Sequence, residues 1–330
     1  MNSLISIIII AILAVFFSSD CDLLLRFLPY GVKEALSSYA GKVVWITGAS
    51  SGIGAQLARD YASAGAQVVL SARRVEQLES VARDCANLGP QPLVLPLDVT
   101  DDVAQGVVFD KIIEQFGHLD ILVLNAGRSQ RALAMTTDIN DTRSLFELNV
   151  MAYISLARLV VPSFLKRGSG DVVVISSIAG KVTTPVSSTY SASKFALQGY
   201  FDTLRSEVYR KGVGILMVCP GPVKSEIVEN AMRGDTSGLS GEQVYKQDDS
   251  IMSTERCTSL ILKALHYKFD EVWISDQPFL AFTYLSVYAP WLTRQLMKHF
   301  VGPSRVRAFL GGASVFDVKL MLQQIFMGDT

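Results

Sequence analysis

The sequence predicts an α/β fold: a Rossmann-type doubly wound parallel sheet in a single catalytic domain, with an N-terminal hydrophobic segment and a C-terminal extension. Strand and helix patterns alternate from about residue 43 to residue 275 without a Gly/Ser- or Pro-rich linker. A glycine-rich turn follows the first strand, and small or polar residues follow the later ones, where ligands lie in such sheets. With 330 residues and 49% hydrophobic content, the chain can bury a large core, which excludes a disordered or fibrous protein.

Charge and cysteine content exclude two further classes. The formal net charge is -1, from 30 basic and 31 acidic residues without a run of like charge, so the chain has no electrostatic footprint for nucleic acid. The four cysteines are far apart and the three histidines do not complete a zinc-ligand spacing. We therefore predict no metal site and expect isolated, largely buried thiols.

The first strand, turn and helix have the form of a dinucleotide site. The buried-strand pattern KVVWIT at 42–47 runs into GASSGIG at 48–54, then a helical pattern and a second strand at 67–71. Glycines allow the tight turn and the close approach of backbone to a pyrophosphate, whose charge the helix N-terminus stabilises.

The end of the second strand favours NADP(H) over NAD(H). An NAD site places a carboxylate there for the ribose hydroxyls, whereas this chain reads Ser71-Ala72-Arg73-Arg74. A guanidinium matches the geometry of a 2'-phosphate, so Arg73 is the predicted phosphate ligand, with Ser50 as a helper. The alternative is that both arginines form only the solvated start of the next helix.

Later strands are predicted to end at the same crevice. The third, at 92–100, ends in Asp98 and Val99, and the fourth, at 119–127, ends in Asn125, Ala126 and Gly127. A fifth follows at 171–177 and a sixth at 214–219.

Tyr190 and Lys194 are four residues apart on a predicted helix that follows the fifth strand and Ser177. This spacing places both side chains on one helix face, where an ammonium is expected to lower the pKa of the phenol toward working pH. Such a tyrosine is a general acid for a carbonyl or a base for an alcohol. On the helical stretch around 141–166, Asn149 interrupts an apolar face, and by itself is more typical of a core amide bonded to backbone.

Together these motifs, T-G-x-x-x-G-x-G, N-A-G, the serine and Y-x-x-x-K, resemble the classical short-chain dehydrogenases/reductases over about residues 40–275. The resemblance implies that Tyr190 is the proton donor, Ser177 positions the carbonyl, Lys194 binds the nicotinamide ribose, and Asn149 holds a relay water. The P-G-P-V loop after the sixth strand is similar to the family's nicotinamide-side loop. Leu124 departs from the pattern, since the family usually has a second Asn before N-A-G. The cofactor-binding residues so predicted are Thr47, Gly48, Ser50, Ser51, Gly52, Ile53, Gly54, Arg73, Asp98, Val99, Asn125, Ala126, Gly127, Tyr190, Lys194, Pro220, Gly221, Val223 and Ser225.

Residues outside the domain suggest a membrane. Residues 1–28 contain an apolar run, 4–17, that is short for a spanning helix, so an uncleaved anchor and a cleaved signal peptide both remain open. Residues 223–250 are predicted to form a mobile substrate lid. The extension, 276–330, is aromatic and basic as an interfacial helix would be, although it could equally cover the substrate mouth or a subunit contact.

The predicted function is reduction of a carbonyl with NADPH, or the reverse oxidation of an alcohol. Further segments, including AGRSQRA at 126–132 and EVWISDQPFL at 271–280, resemble a membrane-associated branch of the family. That resemblance implies the endoplasmic reticulum membrane, a steroid, retinoid or xenobiotic substrate, and a homodimer; with a cleaved signal, the protein would lie in the secretory lumen or outside the cell. The alternatives are a silent NADP-binding scaffold or sensor, and an epimerase or dehydratase of the extended branch, which the glycine spacing disfavours.

Overall fold

The computed structural model describes residues 14–29, 36–227, 230–233, 251–300 and 306. It confirms the predicted doubly wound parallel sheet, which has seven strands in the order β3-β2-β1-β4-β6-β7-β9. Two further short strands, β5 and β8, pair in parallel beside it. The strands are β1 Val43–Thr47, β2 Gln67–Ser71, β3 Leu93–Val94, β4 Ile121–Leu124, β5 Gln130–Arg131, β6 Gly170–Ile175, β7 Val213–Pro220, β8 Met232–Arg233 and β9 Glu271–Ile274.

Helices cover both faces of the sheet. They are α1 Leu23–Phe27, α2 Gly52–Ser63, α3 Val75–Ala86, α4 Asp102–Phe116, α5 Ile139–Phe146, α6 Ala152–Arg167, α7 Ser188–Glu207, α8 Thr254–His266, α9 Phe279–Tyr288 and α10 Pro290–Phe300. A π-helical turn, Glu147–Met151, joins α5 to α6, and a 3-10 turn, Ile178–Gly180, follows β6.

The hydrophobic core is divided into two layers by the sheet. Alternate residues of β1 show the division: Val44 and Ile46 pack with α2, α3 and α8, whereas Val43 and Trp45 pack with α4, α6 and α7. All five residues of β1 are buried, as expected for a parallel strand covered on both faces. The carboxyl ends of the central strands are thereby fixed at one edge of the sheet.

Two elements differ from the sequence-based expectation. The third predicted strand, 92–100, is regular only at Leu93–Val94. Backbone bonds from Leu95 to Leu70 (3.0 Å) and from Leu97 to Ala72 (3.1 Å) nevertheless continue the alignment toward Asp98. The helix predicted around 141–166 is interrupted by the π-helical turn, which contains Asn149.

Residues 19–25 pack directly on the catalytic domain. Cys21 forms an antiparallel bridge with Ile274 at the edge of β9, and the Ser275 amide donates to the Asp20 carbonyl at 2.9 Å. The Asp22 carboxylate accepts from the Trp273 amide at 2.6 Å, and Leu25 is fully buried in the core. This segment therefore covers the exposed edge of the sheet. Residues 1–13 of the predicted anchor lie outside the described residues.

Among the described residues, one helical stretch, 139–167, is long and apolar enough by composition to cross a membrane. Half of its most apolar window is buried inside the protein, and the stretch contains the π-helical turn and the core helix α6. Its apolar face is accounted for by the sheet it covers.

Candidate active site

Thr47 and Asn125 join the carboxyl ends of β1 and β4. The Thr47 hydroxyl donates to the Val123 carbonyl at 3.1 Å and accepts from the Asn125 amide at 3.0 Å. The Asn125 side chain donates to the carbonyls of Thr47 (3.0 Å) and Gly48 (3.1 Å). Leu124 is fully buried in the core, so the turn does not need a second asparagine there.

The glycine-rich turn packs closely against this junction. A Cβ on Gly48 would lie 2.8 Å from Ala126 Cα, and one on Gly54 would collide with the Asn125 side chain. Gly48 and Gly52 also have positive φ values of 65° and 55°. The next residues, Ser50 and Ser51, lead into α2, where Ser51 makes no side-chain cap bond and Ile53 packs on the core. The helix N-terminus therefore has the form of an anion cradle.

Two arginines stand beside this cradle, and they have different partners. Arg73, the predicted phosphate ligand, is exposed and lies 3.7 Å from the Asp98 carboxylate. Arg74 donates to the hydroxyls of Ser51 (2.6 Å) and Ser50 (3.3 Å) and forms an ion pair with Glu226 at 2.8 Å. The phosphate ligand predicted from the sequence is Arg73, but Arg74 is the arginine that contacts the serines.

Asp98 and Val99 occupy the end of the third strand region. The Asp98 carboxylate accepts from Thr100 at 3.0 Å and 2.8 Å; burial acts to raise its pKa, but these bonds and Arg73 outweigh burial and lower it. Val99 is buried, and its carbonyl accepts from Gln105 at 2.7 Å. Both residues face the crevice edge through a fixed backbone.

The loop after β7 borders the crevice on the other side. The Gly221 amide donates to the Ile274 carbonyl at 2.8 Å, and a Cβ at Gly221 would collide with Ser275. Val223 forms a parallel bridge with Met252, and Ser225 Cβ lies 3.1 Å from where a Cβ of Gly52 would stand. The loop therefore reaches across to the glycine-rich turn. Residues 228–229 and 234–250 of the predicted lid lie outside the described residues.

Ser177, Tyr190 and Lys194 are brought together at the ends of β6 and β7. The Ser177 hydroxyl donates to the Pro220 carbonyl at 3.3 Å, accepts from the Ala179 amide at 3.1 Å, and acts to lower the pKa of Tyr190. The Lys194 ammonium donates to the Ile175 carbonyl at 2.9 Å and lies 5.7 Å from the centroid of the Tyr190 ring. Tyr153, fully buried beneath them, holds the other side of the ammonium at 5.5 Å from its ring centroid.

The electrostatics differ from the expectation that Lys194 lowers the pKa of Tyr190. Burial raises the pKa of Tyr190, although the Ser177 hydrogen bond and the charge of Arg131 oppose the rise. Burial also lowers the pKa of Lys194 to about 8. Burial therefore determines the direction of both shifts, and the expected lowering of the phenol pKa by Lys194 is not seen.

Asn149 is fully buried in the π-helical turn, and both hydrogens of its side-chain amide are used. Its oxygen accepts from the Arg128 amide at 3.0 Å, and its nitrogen donates to the Arg128 carbonyl at 2.9 Å and to Ser193 Oγ at 3.2 Å. Asn149 therefore has the backbone bonds that are expected of a core amide. It is also bonded to Ser193, which lies on the same helix as Tyr190.

The segment 128–132 also contains contacts that the sequence analysis missed. Gln130 bonds to the backbone of the helix that carries Tyr190, and Arg131 acts electrostatically on the phenol. These contacts join residues about sixty positions apart, so no local spacing could reveal them.

Known proteins share this arrangement of strands and helices. The sequence pattern of the short chain dehydrogenase family matches residues 42–235. The human protein named dehydrogenase/reductase SDR family member 7 is 40% identical over 309 residues, which are 90% of this chain and 88% of the relative.

Two solved structures are similar in fold. A short-chain dehydrogenase from Streptomyces avermitilis has a TM-score of 0.67 and 30% identity, and the match covers 78% of this chain and 98% of that one. A short-chain dehydrogenase/reductase from Burkholderia phymatum, in complex with NAD, has a TM-score of 0.67 and 24% identity, with coverage of 77% and 95%.

Proposed function

This chain belongs to the short-chain dehydrogenase family of oxidoreductases, and from that premise we propose that it uses NADP(H) to interconvert a carbonyl and an alcohol on a lipophilic substrate. The observation that carries the proposal is the grouping of Ser177, Tyr190 and Lys194 at the strand ends that also hold the glycine cradle. A proton donor and a dinucleotide site thus share one crevice.

The cradle fits a dinucleotide, since a Cβ on Gly48 or Gly54 would collide with the Ala126 and Asn125 side of the turn. The predicted residues at 47–54, 98–99, 125–127 and 220–225 would hold the cofactor. Two guanidiniums and two serine hydroxyls at the end of β2 favour the 2'-phosphate of NADP(H), with Arg74 added to Arg73 as a ligand. When bound, the nicotinamide supplies hydride to a carbonyl or accepts it from an alcohol.

The chain's own residues manage the proton. In the reducing direction, the Tyr190 hydroxyl donates its proton to the carbonyl oxygen, while the Ser177 hydroxyl donates a hydrogen bond to the negative charge that develops there. The phenolate that remains is stabilised by the charge of Arg131, and Lys194, whose ammonium lies 5.7 Å from the centroid of the Tyr190 ring, would bind the nicotinamide ribose. Since both amide hydrogens of Asn149 are used, we propose that a relay water would bind to it through oxygen.

An apolar rim supports the lipophilic substrate class. Leu133, Met135 and Ile139 have exposed side chains and follow β5, the segment that contacts the N-terminus of α7. Ile227, on the loop after β7, is exposed as well. Apolar side chains at the mouth of a crevice favour binding of an apolar substrate, because both surfaces leave water when the substrate binds.

We also propose that the apolar run at 4–17 anchors the protein in the endoplasmic reticulum membrane, and that two chains form a homodimer. Residues 14–17 of the run are helical and lead directly into the segment packed on β9, which fixes the domain close to the anchor. Exposed Val103 and Val107 on α4 and Met151 beside Asn149 provide apolar surface for a second subunit.

The test is turnover by the detergent-solubilised full chain. NADPH and NADH consumption is measured over a panel of steroid, retinal and quinone carbonyls, with Tyr190→Phe as the test variant and Tyr200→Phe, on the same helix, as its matched control. We expect NADPH-selective turnover that falls roughly 10²- to 10⁴-fold in Tyr190→Phe because the proton donor is lost. Tight NADPH binding without turnover of any carbonyl would instead favour the scaffold alternative.

A further inference from the structure

The helix that carries Tyr190 lacks an ordinary N-terminal cap. The first amides of a helix have no partner within it, and a Ser at the cap position usually accepts from the second or third. Ser187, at that position before α7, makes no such side-chain bond. Its hydroxyl donates instead to the Gln130 carbonyl at 3.5 Å and accepts from Arg131 at 3.4 Å.

The side chain of Gln130 takes over the role of the cap from another strand. Its carbonyl oxygen accepts from the amides of Thr189 (2.8 Å) and Tyr190 (3.3 Å), the second and third residues of α7. Its amide nitrogen donates to Thr137 Oγ1 at 2.8 Å, and Thr137 in turn donates to the Leu133 carbonyl at 2.8 Å. Gln130 is only 1% exposed, so water cannot replace these bonds without rearrangement.

The backbone around Gln130 reinforces the contact. The Ala132 amide donates to the Val186 carbonyl at 2.9 Å, and Ala132 and Ser187 form a parallel bridge. Val186 has a φ of 57°, which is unfavourable for a β-branched residue and persists only where its surroundings fix it. The segment 130–132 therefore fixes the position at which the chain enters α7.

The position of Tyr190 has chemical consequences. Its phenol is close enough to Ser177 for that hydroxyl to lower the phenol pKa, and one of the two amides bonded to Gln130 is the amide of Tyr190 itself. A shift of the first turn of α7 would move the phenol away from both Ser177 and the substrate oxygen. Small misplacements of a proton donor are costly, up to roughly 100-fold in rate for about 1 Å.

We infer that Gln130 is a positioning residue for the proton transfer: it caps the catalytic helix from β5 and fixes the phenol of Tyr190 against Ser177. This inference rests on the proposed function, and it assigns to Gln130 no contact with substrate or cofactor. A positioning role differs from a purely structural one in its consequence: loss of the Gln130 side-chain oxygen changes the rate of proton transfer more than it changes the affinity for the cofactor.

The experiment uses the full chain in detergent and five proteins: wild type, Gln130→Leu, Gln130→Glu, Thr137→Val and Gln105→Leu. Gln130→Leu removes the acceptor, Gln130→Glu keeps it, and Thr137→Val removes only the partner of the amide nitrogen. Gln105→Leu is the stability control, because it removes another buried glutamine, one that bonds Val99 and Ser155 instead of α7.

We expect Gln130→Leu to lower kcat roughly 10- to 100-fold, with NADPH affinity changed less than about twofold. In the alcohol-oxidation direction, which needs the phenolate, the midpoint of the kcat–pH profile should rise, because the Ser177 bond no longer lowers the pKa of Tyr190 as effectively. Gln130→Glu should restore kcat to within a few fold of wild type, and Gln105→Leu should leave the pH midpoint unchanged.

A second readout does not depend on turnover. Amide hydrogen exchange should show faster exchange at Thr189 and Tyr190 in Gln130→Leu and wild-type protection in Gln130→Glu. If wild type itself turns over no substrate, the proposed function fails while the exchange result still tests the cap. Wild-type kcat and pH midpoint in Gln130→Leu would overturn the inference; if that variant does not fold, loss of activity in a folded Gln130→Glu would do so.

Discussion

Burial of Lys194 affects both the pKa of its ammonium and the stability of the folded protein. The side chain is 4% exposed, and burial lowers the pKa of its ammonium to about 8, whereas an unfolded lysine has a pKa of about 10.4. The charged form is thus disfavoured in the folded protein. The position of Lys194 beside Tyr190 is therefore kept at the expense of stability.

The sign of the resulting pH dependence can be stated. Below about pH 8 the Lys194 side chain is protonated in both the folded and the unfolded protein, so the burial penalty is present in full. Between about pH 8 and 10.4 the unfolded chain holds more protons than the folded one, so the free energy of unfolding increases as the pH rises. Relative to Lys194→Met, wild type should gain roughly 1–2 kcal/mol between pH 7 and 9.5.

Urea unfolding of both apoproteins under reducing conditions measures this difference. The buried cysteines, whose raised pKa values act in the opposite direction, are common to both proteins and cancel. Parallel pH dependences in the two proteins would show that the Lys194 ammonium is not penalised by burial.

At the residue scale, the sequence predicts the groups whose spacing is local. Tyr190 and Lys194 lie one helical turn apart and Ser177 lies two residues after β6, so pattern and position are enough to single them out. Gln130 and Arg74 could not be assigned in this way. Their contacts are with Tyr190 and with Glu226, each many positions away in the chain.

At the scale of elements, buried parallel strands were predicted well because their apolar runs are continuous. The predictions were poorer where a partner is remote. The segment 19–25 follows an apolar run and looks like a linker to an anchor, yet it pairs with β9. Its acidic residues are explained by partners near the other end of the domain: Asp20 with Arg256 at 2.7 Å, and Asp22 with the Tyr284 hydroxyl at 2.7 Å.

Adjacent leucines on α1 test whether this segment is part of the folded domain. Leu25 is fully buried against α8 and the core, whereas Leu24 is 69% exposed. We expect Leu25→Ala to lower the free energy of unfolding by roughly 2–4 kcal/mol, through lost burial and the cavity left behind. Leu24→Ala should change it by no more than about 0.5 kcal/mol.

Chemical unfolding of the two variants in the same detergent gives the comparison. Both changes remove the same atoms from one helix, so an effect on detergent binding or on helix propensity is shared. Equal stabilities would indicate that residues 19–25 are a tether and do not belong to the domain core.

At the scale of the whole molecule, the N-terminal helix end and the C-terminal helices meet through aromatic rings. Phe16 contacts Tyr284 with ring centroids 5.4 Å apart, and Tyr284 stacks on Tyr288 at 6.1 Å. Phe17 and Tyr288 remain exposed, at 58% and 76%. We call Phe16, Phe17, Tyr284 and Tyr288 the aromatic ridge. It places the apolar run beside α9, so an anchored chain would bring α9 and α10 close to the bilayer surface.

Trp291, at the start of α10, reports whether this arrangement contacts lipid. It is 69% exposed, while Trp45 and Trp273, the other two tryptophans, are 0% and 7% exposed. In vesicles of zwitterionic and anionic phospholipid carrying bromine near the headgroup, we expect partial quenching of tryptophan fluorescence in wild type and almost none in Trp291→Phe. Equal, unquenched emission from both proteins would mean that α10 instead covers the substrate mouth or another subunit, because an aromatic side chain at the interface lies within reach of the brominated chains.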